Sequence, residues 1–156
     1  MDPHTQTYEV ALHKAASYCS LAERCVSELK EKLNKWEVDE SDQHKIIDYL
    51  IQEKYIDEKR FATAYAKDKF RYNKWGKIKI NYQLNLKQIN KDIIEQALKA
   101  IDDDEYNALI LRLAKDKLKK ITFKSEHEKK GKLARFLSGK GFENEMIYKV
   151  LEELES

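Results

Sequence analysis

The chain has 156 residues, 42% hydrophobic and 37% charged, with a formal net charge of +2. It is long enough for one domain or a short array of small units, and too apolar for a disordered tail. One proline and four glycines are too few turn residues for a β-sandwich or barrel, so an all-α fold with long helices and few breaks is expected.

Residues 1–6 are polar and expected to fray. From about Thr7 to Cys19, Tyr8, Ala11, Leu12, Ala15, Ala16 and Cys19 recur at helical spacing. A second helix runs to about Trp36 around Leu29 and Leu33, and starts at one of two capping boxes, Ser20–Glu23 or Cys25–Glu28. A third spans about 41–53 with Ile46, Ile47 and Leu50 inside. The next helix opens at Asp57 and buries Phe61, Ala64, Tyr65 and Phe70. After a break at 73–76, Ile80 and Leu84 mark a helix over 77–87. Asn90 N-caps another, with Ile93, Ile94, Ala97, Leu98 and Ile101 inside. The acids at 102–105 suit a helix N-terminus and the lysines at 115–120 its C-terminus. That helix buries Leu109, Ile110, Leu113, Ala114 and Leu118. Two more follow, near 129–138 with Leu133, Phe136 and Leu137, and over 143–154 with Ile147, Val150, Leu151 and Leu154.

These segments repeat. The second helices carry Leu29/Leu33, Ile80/Leu84 and Leu133/Leu137, each followed by one apolar residue, Val38, Ile89 or Phe142. The third helices carry Ile46/Leu50, Ile94/Leu98 and Ile147/Leu151. The period is about 50 residues, the signature of a tandem array. Three three-helix repeats are expected, at 7–54, 55–101 and 102–155. The first apolar pair lies further from Val38 than its counterparts do from Ile89 and Phe142, implying a small insertion around 39–45.

Charge is laid out in blocks. Residues 67–91 hold eight basic residues against one acidic, and residues 112–140 hold eleven against three, while the intervening segments are acidic. Such blocks suit a polyanion-facing surface and a second protein. In the first, Lys67, Arg71 and Lys74 fall at helical spacing, and Phe70, Tyr72, Trp75 and Tyr82 are interleaved with the lysines. Cations neutralise phosphates and rings stack on unpaired bases. The alternative is a solvated helical face with its aromatics in the core; Trp75 beside Gly76 at an interhelix break favours a binding edge. The second block offers Lys130, Lys132 and Arg135 on the same terms.

No motif supports catalysis. Asp57 and Arg60 lack a nucleophile, a metal set or a histidine partner, and read as structural. Gly139-Lys140-Gly141 lacks phosphate-loop spacing, and no GxSxG, HExxH or dinucleotide fingerprint occurs. Cys19 and Cys25 form no CxxC or Cys/His cluster, so neither a metal nor a cofactor is expected. No apolar run approaches membrane-spanning length and no signal-peptide core is read in the first twenty residues; a cytoplasmic protein is expected.

Lys54-Tyr-Ile-Asp-Glu-Lys-Arg-Phe-Ala62 resembles the central signature of the RecX family of bacterial regulatory proteins, close to G-Y-I-D-D-x-R-F-A. Trp75-Gly76, Ile80, Leu84 and Lys87-Gln88-Ile89 are similar to the family's following segment, which ends K-G-I. Cys25-Val-Ser-Glu-Leu-Lys-Glu-Lys-Leu33 and Arg135-Phe-Leu-Ser-Gly-Lys-Gly-Phe142 resemble its S-x-x-E-L-x-x-K-L and R-F-L-x-x-R-G-F. The departures are Lys54 and Gln88 in place of glycines, Glu58 in place of Asp and Cys25 in place of a capping Ser, so the turn at Gln88 is expected to differ.

The resemblance implies three tandem three-helix repeats in a curved, elongated monomer. It implies binding to the RecA recombinase and its filament on single-stranded DNA, with inhibition of filament growth, ATP hydrolysis, strand exchange and co-protease action, and some weak direct DNA affinity. On this reading Lys67, Arg71, Lys74, Trp75, Lys77, Lys79, Lys130, Lys132 and Arg135 form the binding set. Tyr55, Ile56, Asp57, Arg60, Phe61, Ala62 and Gly76 hold the repeat junction. A general single-stranded nucleic-acid-binding module without a RecA partner, or an adaptor for acidic proteins, are the alternatives.

Overall fold

Short polar side chains meet the first free N–H groups of most helices and fix where they begin. The computed structural model describes residues 7–155; residues 1–6, expected to fray, lie outside the described residues. The first unit holds α1 (Tyr8–Leu21), α2 (Val26–Lys35) and α3 (Glu40–Gln52). The second holds α4 (Glu58–Arg71), α5 (Lys77–Leu86) and α6 (Lys91–Lys99). The third holds α7 (Asp103–Leu118), α8 (Glu126–Gly139) and α9 (Asn144–Glu155). No strand occurs among the described residues. Asp57, Asn90, Asp102 and Ser125 accept from Arg60 N, Asp92 N, Glu105 N and Glu128 N at 3.0, 2.8, 2.9 and 3.1 Å. Ser125 therefore starts α8 about one turn earlier than the apolar pattern indicates. Of the two candidate starts for α2, Cys25 is used: Glu28 Oε1 accepts from Cys25 N at 3.2 Å, while Ser20 Oγ donates to Ala16 O inside α1.

The three helices of each unit pack on one another, whereas helices of different units make no comparable contact. In the first unit Ala11, Ala15 and Cys19 face Leu29, Leu33, Ile46, Ile47 and Leu50. A second core runs without interruption through the other two units, from Phe61, Ala66 and Phe70 to Leu133, Phe142 and Leu151. Burial of each such Leu or Phe side chain contributes about 1.5–3 kcal/mol.

The repeat is clearest at the end of each second helix. Val38 N–H donates to Leu33 O at 3.0 Å, and Ile89 and Phe142 N–H donate to Leu84 and Leu137 O at 3.2 Å. The preceding residues, Glu37, Gln88 and Gly141, have φ of 58°, 63° and 95°. This is the Schellman arrangement, in which one left-handed residue lets the chain return two N–H groups to the last turn.

The same register corrects the expected insertion. Gln43, Ile94 and Ile147 N–H donate to Asp39, Asn90 and Glu143 O, so all three third helices begin two residues after the apolar residue that ends the turn. No extra segment occupies 39–45; those residues are the first turns of α3. Gln43 takes the place that Ile94 and Ile147 fill, and its amide donates to Asn34 Oδ1 and Val38 O, both at 2.9 Å. Polar Gln43 hid the alignment.

The turn at Gln88 does not differ as expected: Gln88 adopts the left-handed conformation a glycine would take, and Lys54 does the same with φ of 63°. Left-handed backbone costs a residue with a Cβ about 1–2 kcal/mol, of which glycine's greater chain entropy returns part. Both side chains are exposed. Lys54→Gly and Gln88→Gly are each expected to raise unfolding free energy by about 0.5–1 kcal/mol in urea titration; a loss at either would mean its side chain makes a contact worth more than the strain.

Candidate interaction surface

The two joints between units are built differently. Cys25 and Gly76 are the N-caps of the second helices in units one and two, and Gln88 and Gly141 are the left-handed residues of the turns that approach them. At the later joint both are glycine. Gly76 N–H donates to Lys140 O at 2.8 Å and Ile78 N–H to Gly141 O at 2.9 Å. A Cβ on Gly76 would lie 2.3 Å from the Gly141 carbonyl carbon. Tyr106 Oη accepts from Lys77 N–H at 2.9 Å and donates to Glu143 in a short hydrogen bond. Burial, and then the Glu143 hydrogen bond, hold that phenol well above its ordinary pKa.

At the earlier joint side chains take over. Arg60 Nε meets Glu23 Oε1 at 2.6 Å, and its guanidinium donates to Lys54 O and Tyr55 O at 3.1 and 3.2 Å. Lys87 Nζ meets Glu28 Oε2 at 3.0 Å. Phe61, Ala62 and Ile56 are buried beside this ladder, while Tyr55 stays largely exposed. Burial pushes the Cys19 thiol up to about 11 and raises Cys25 as well, so neither is a ready nucleophile. No metal-binding cluster occurs among the described residues.

Around the Gly76 joint the fold gathers cations from three elements. Lys69 Nζ and Lys79 Nζ lie 5.2 and 4.8 Å from the Trp75 ring centroid, and Lys77 Nζ lies 4.8 Å from that of Tyr106. Lys74 Nζ donates to Arg71 O and Lys140 Nζ to Asn73 O, both at 3.3 Å. Arg71 reaches Glu105 across the joint at 4.0 Å. Lys74 does not continue the stripe of Lys67 and Arg71: it lies beyond the end of α4, with φ of 59°. Trp75 is half-buried under two ammonium groups, so it positions lysines and offers little free face to a base. Tyr72, 77% exposed, is the free ring of this corner. The first backbone N–H groups of α5 are already taken by Lys140, Tyr106 and Gly141, so the corner attracts anions through side-chain charge alone.

The remaining candidates sit apart. Lys130 pairs with Glu155 on α9. Lys132 meets Glu128 at 3.2 Å and Thr122 O at 2.6 Å. The Lys132 hydrogen bond holds Glu128 below the usual carboxylate range, and Glu155 raises Lys130. None of these contacts reaches the Trp75 corner, whereas exposed Arg135 and Lys67 carry charge into solvent. Lys69 and Lys140 join the corner although residue spacing did not single them out. Lys140 arrives only because Gly141 touches the α5 start, a contact that local sequence does not encode.

The comparisons match this architecture unit by unit. Family models described as the first, second and third three-helix domains of RecX match residues 11–50, 57–98 and 103–151. "Regulatory protein RecX" of Clostridium botulinum (strain Eklund 17B / Type B) is 34% identical over 128 residues, covering 81% of this chain and 59% of that protein. The chain thus spans less than two thirds of that relative's length. The protein of the same name from Clostridium acetobutylicum is 32% identical over 152 residues, covering 94% of this chain and 70% of that one. The crystal structure of RecX from Lactobacillus salivarius superimposes with a TM-score of 0.87 at 26% identity, covering 95% of this chain and 96% of that one. With all three units matched in order, and the fold shared along nearly the whole length, the chain belongs to the RecX family of regulatory proteins.

Proposed function

We propose that this protein regulates the RecA recombinase. It binds the RecA filament on single-stranded DNA and restrains filament growth, ATP hydrolysis, strand exchange and co-protease action, so that it tempers homologous recombination, DNA repair and the SOS response in the cytoplasm. It acts by binding, as a monomer and without catalysis or a cofactor. The observation that carries the reading is family membership across all three units. The corner around Trp75 supports it: Lys69, Lys74, Lys77, Lys79 and Lys140 form a basic face suited to a DNA-rich filament, with Lys67 and Arg71 along α4 and Arg135 on α8 as further contacts.

The test is DNA-dependent ATP hydrolysis by cognate RecA with this protein added at substoichiometric amounts. A fall in rate is expected. An unchanged rate together with retained DNA binding would favour a single-strand-binding module, the reading that exposed Tyr72 beside the lysines supports. Direct strand affinity has its own measurement. The slope of log affinity against log salt should shrink by about one for each phosphate-contacting lysine replaced. Lys74→Ala and Lys79→Ala are the substitutions to make, and a slope that neither alters takes both off the contact surface.

A further inference from the structure

The chain between α7 and α8 is held in place from both sides. Leu118 and Ile121 pack against the core of the last two units. Lys132 Nζ on α8 reaches back to Thr122 O at 2.6 Å, Lys124 N–H donates to Glu128 Oε2 at 3.3 Å, and Ser125 caps α8. This pinned corner presents Lys119, Lys120, Phe123 and Lys124 to solvent. Phe123 is 42% exposed, and Lys129 Nζ lies 5.6 Å from its ring centroid. No second cation or ring lies over it among the described residues, so the ring is positioned and still has a free face.

The charge of the corner is not neutralised within the fold. Residues 115–124 hold five lysines against one acid, Asp116. The carboxylates that open α8 are engaged on that helix, Glu126 with Lys129 at 3.1 Å and Glu128 with Lys132 at 3.2 Å. Among the described residues, none of Lys119, Lys120 and Lys124 forms an ion pair. The helices do not account for these lysines. Lys115 and Lys117 already fill the last turn of α7, where positive charge offsets the macrodipole. Lys124 stands just before Ser125, the N-cap of α8, where positive charge opposes it.

We infer that the Lys119–Lys124 corner is a second contact for single-stranded DNA, in which its three lysines meet phosphates and Phe123 stacks on an unpaired base. Unneutralised cations beside a free planar ring are what a sequence-tolerant strand site requires. The choice of DNA rests on the RecA reading, which places the chain on a single-stranded DNA filament. This contact is separate from the Trp75 corner. Glu105, in the first turn of α7, reaches Arg71 beside that corner, whereas these lysines follow the last turn, sixteen residues or about 24 Å along the helix. Lys132, engaged by Thr122 O and Glu128, is a positioning residue for the loop. Between residues 87 and 147 no other large apolar side chain is exposed among the described residues, so a membrane surface would bury too little area here.

The experiment follows the anisotropy of labelled oligothymidylate with the full chain across a range of salt, beside a duplex of the same length. Lys119→Gln/Lys120→Gln/Lys124→Gln should weaken strand binding and lower the slope of log affinity against log salt by about two, from three contacts at about 0.7 each. Phe123→Ala should weaken strand binding at least about fivefold, with the slope and duplex binding unchanged. Thermal unfolding should stay in place in the triple variant, which changes exposed side chains alone. A triple variant with the wild-type slope overturns the phosphate contact. Phe123→Ala that weakens strand and duplex alike overturns the stacking. Phosphatidylserine vesicles that capture the wild type and not the triple variant, with strand binding equal in both, overturn the inference in favour of a lipid surface. Wild-type chain that binds the strand but leaves RecA ATP hydrolysis unchanged overturns the RecA reading and leaves the strand contact standing. Wild-type chain that slows RecA yet binds no strand overturns the corner alone.

Discussion

Gly76→Ala is expected to destabilise the protein by about 3 kcal/mol or more, at the upper end of what overpacking costs. The added Cβ would sit 2.3 Å from both the carbonyl carbon and oxygen of Gly141 and 2.4 Å from Phe142 N. All three are backbone atoms in a turn whose N–H groups already return to Leu137 and Ser138, so nothing there yields cheaply. Gly141→Ala should cost a similar amount for two separate reasons. Its Cβ would meet Lys79 Cβ at 2.3 Å, and its φ of 95° disfavours any side chain. Gly139→Ala is the control: nothing lies within 4 Å of its Cβ, and alanine suits the last turn of α8 better, so a gain of about 0.5–1 kcal/mol is expected. For a chain of this size about 3 kcal/mol corresponds to a melting-point fall of roughly 6–12 °C. Gly76→Ala melting with the wild type would mean that the units can separate at this joint without loss of stability.

That joint also marks the limit of what local sequence reveals. The helices were legible because their signals are local: Asp57, Asn90 and Asp102 cap where they stand, and Leu33, Leu84 and Leu137 repeat in step. The all-α architecture in three-helix units follows from those signals, and family membership was legible from the order of the motifs. The register of the third helices was misread because polar Gln43 fills a site that isoleucine fills elsewhere, and its hydrogen bonds to Asn34 and Val38 satisfy it there. By spacing Gly76 reads only as a break at the rim of a binding edge, and the family resemblance adds that it belongs to the repeat junction. Its role is close approach, and a close approach depends on a turn distant in the chain. The charge blocks suffered in the same way: that Lys130 meets Glu155, or that Lys69 and Lys79 lie over Trp75, is tertiary information.

Tyr106→Phe is expected to cost about 2–3 kcal/mol, the penalty for leaving buried polar groups without their partner. The ring itself would stay, tilted against Phe70 and Phe142 at centroid distances of 5.8 and 5.5 Å. What disappears is the hydroxyl that accepts from Lys77 N–H and donates to Glu143, and so links the start of α5 to the start of α9. Tyr148→Phe is the matched control; its side chain is 62% exposed and the change should lie within about 0.5 kcal/mol. The pH dependence separates hydroxyl loss from repacking. Because the folded-state pKa of Tyr106 is raised, its contribution is fully present below the ordinary tyrosine value of about 10 and is lost as pH rises through the folded value. The stability gap between wild type and Tyr106→Phe should therefore be constant from neutrality to about pH 9 and narrow above pH 10. A gap that persists unchanged into that alkaline range would place the cost in the packing of the aromatic row. The inter-unit hydrogen bond from Lys77 N–H to Tyr106 would then be incidental to the rigidity of the joint on which the basic corner is built.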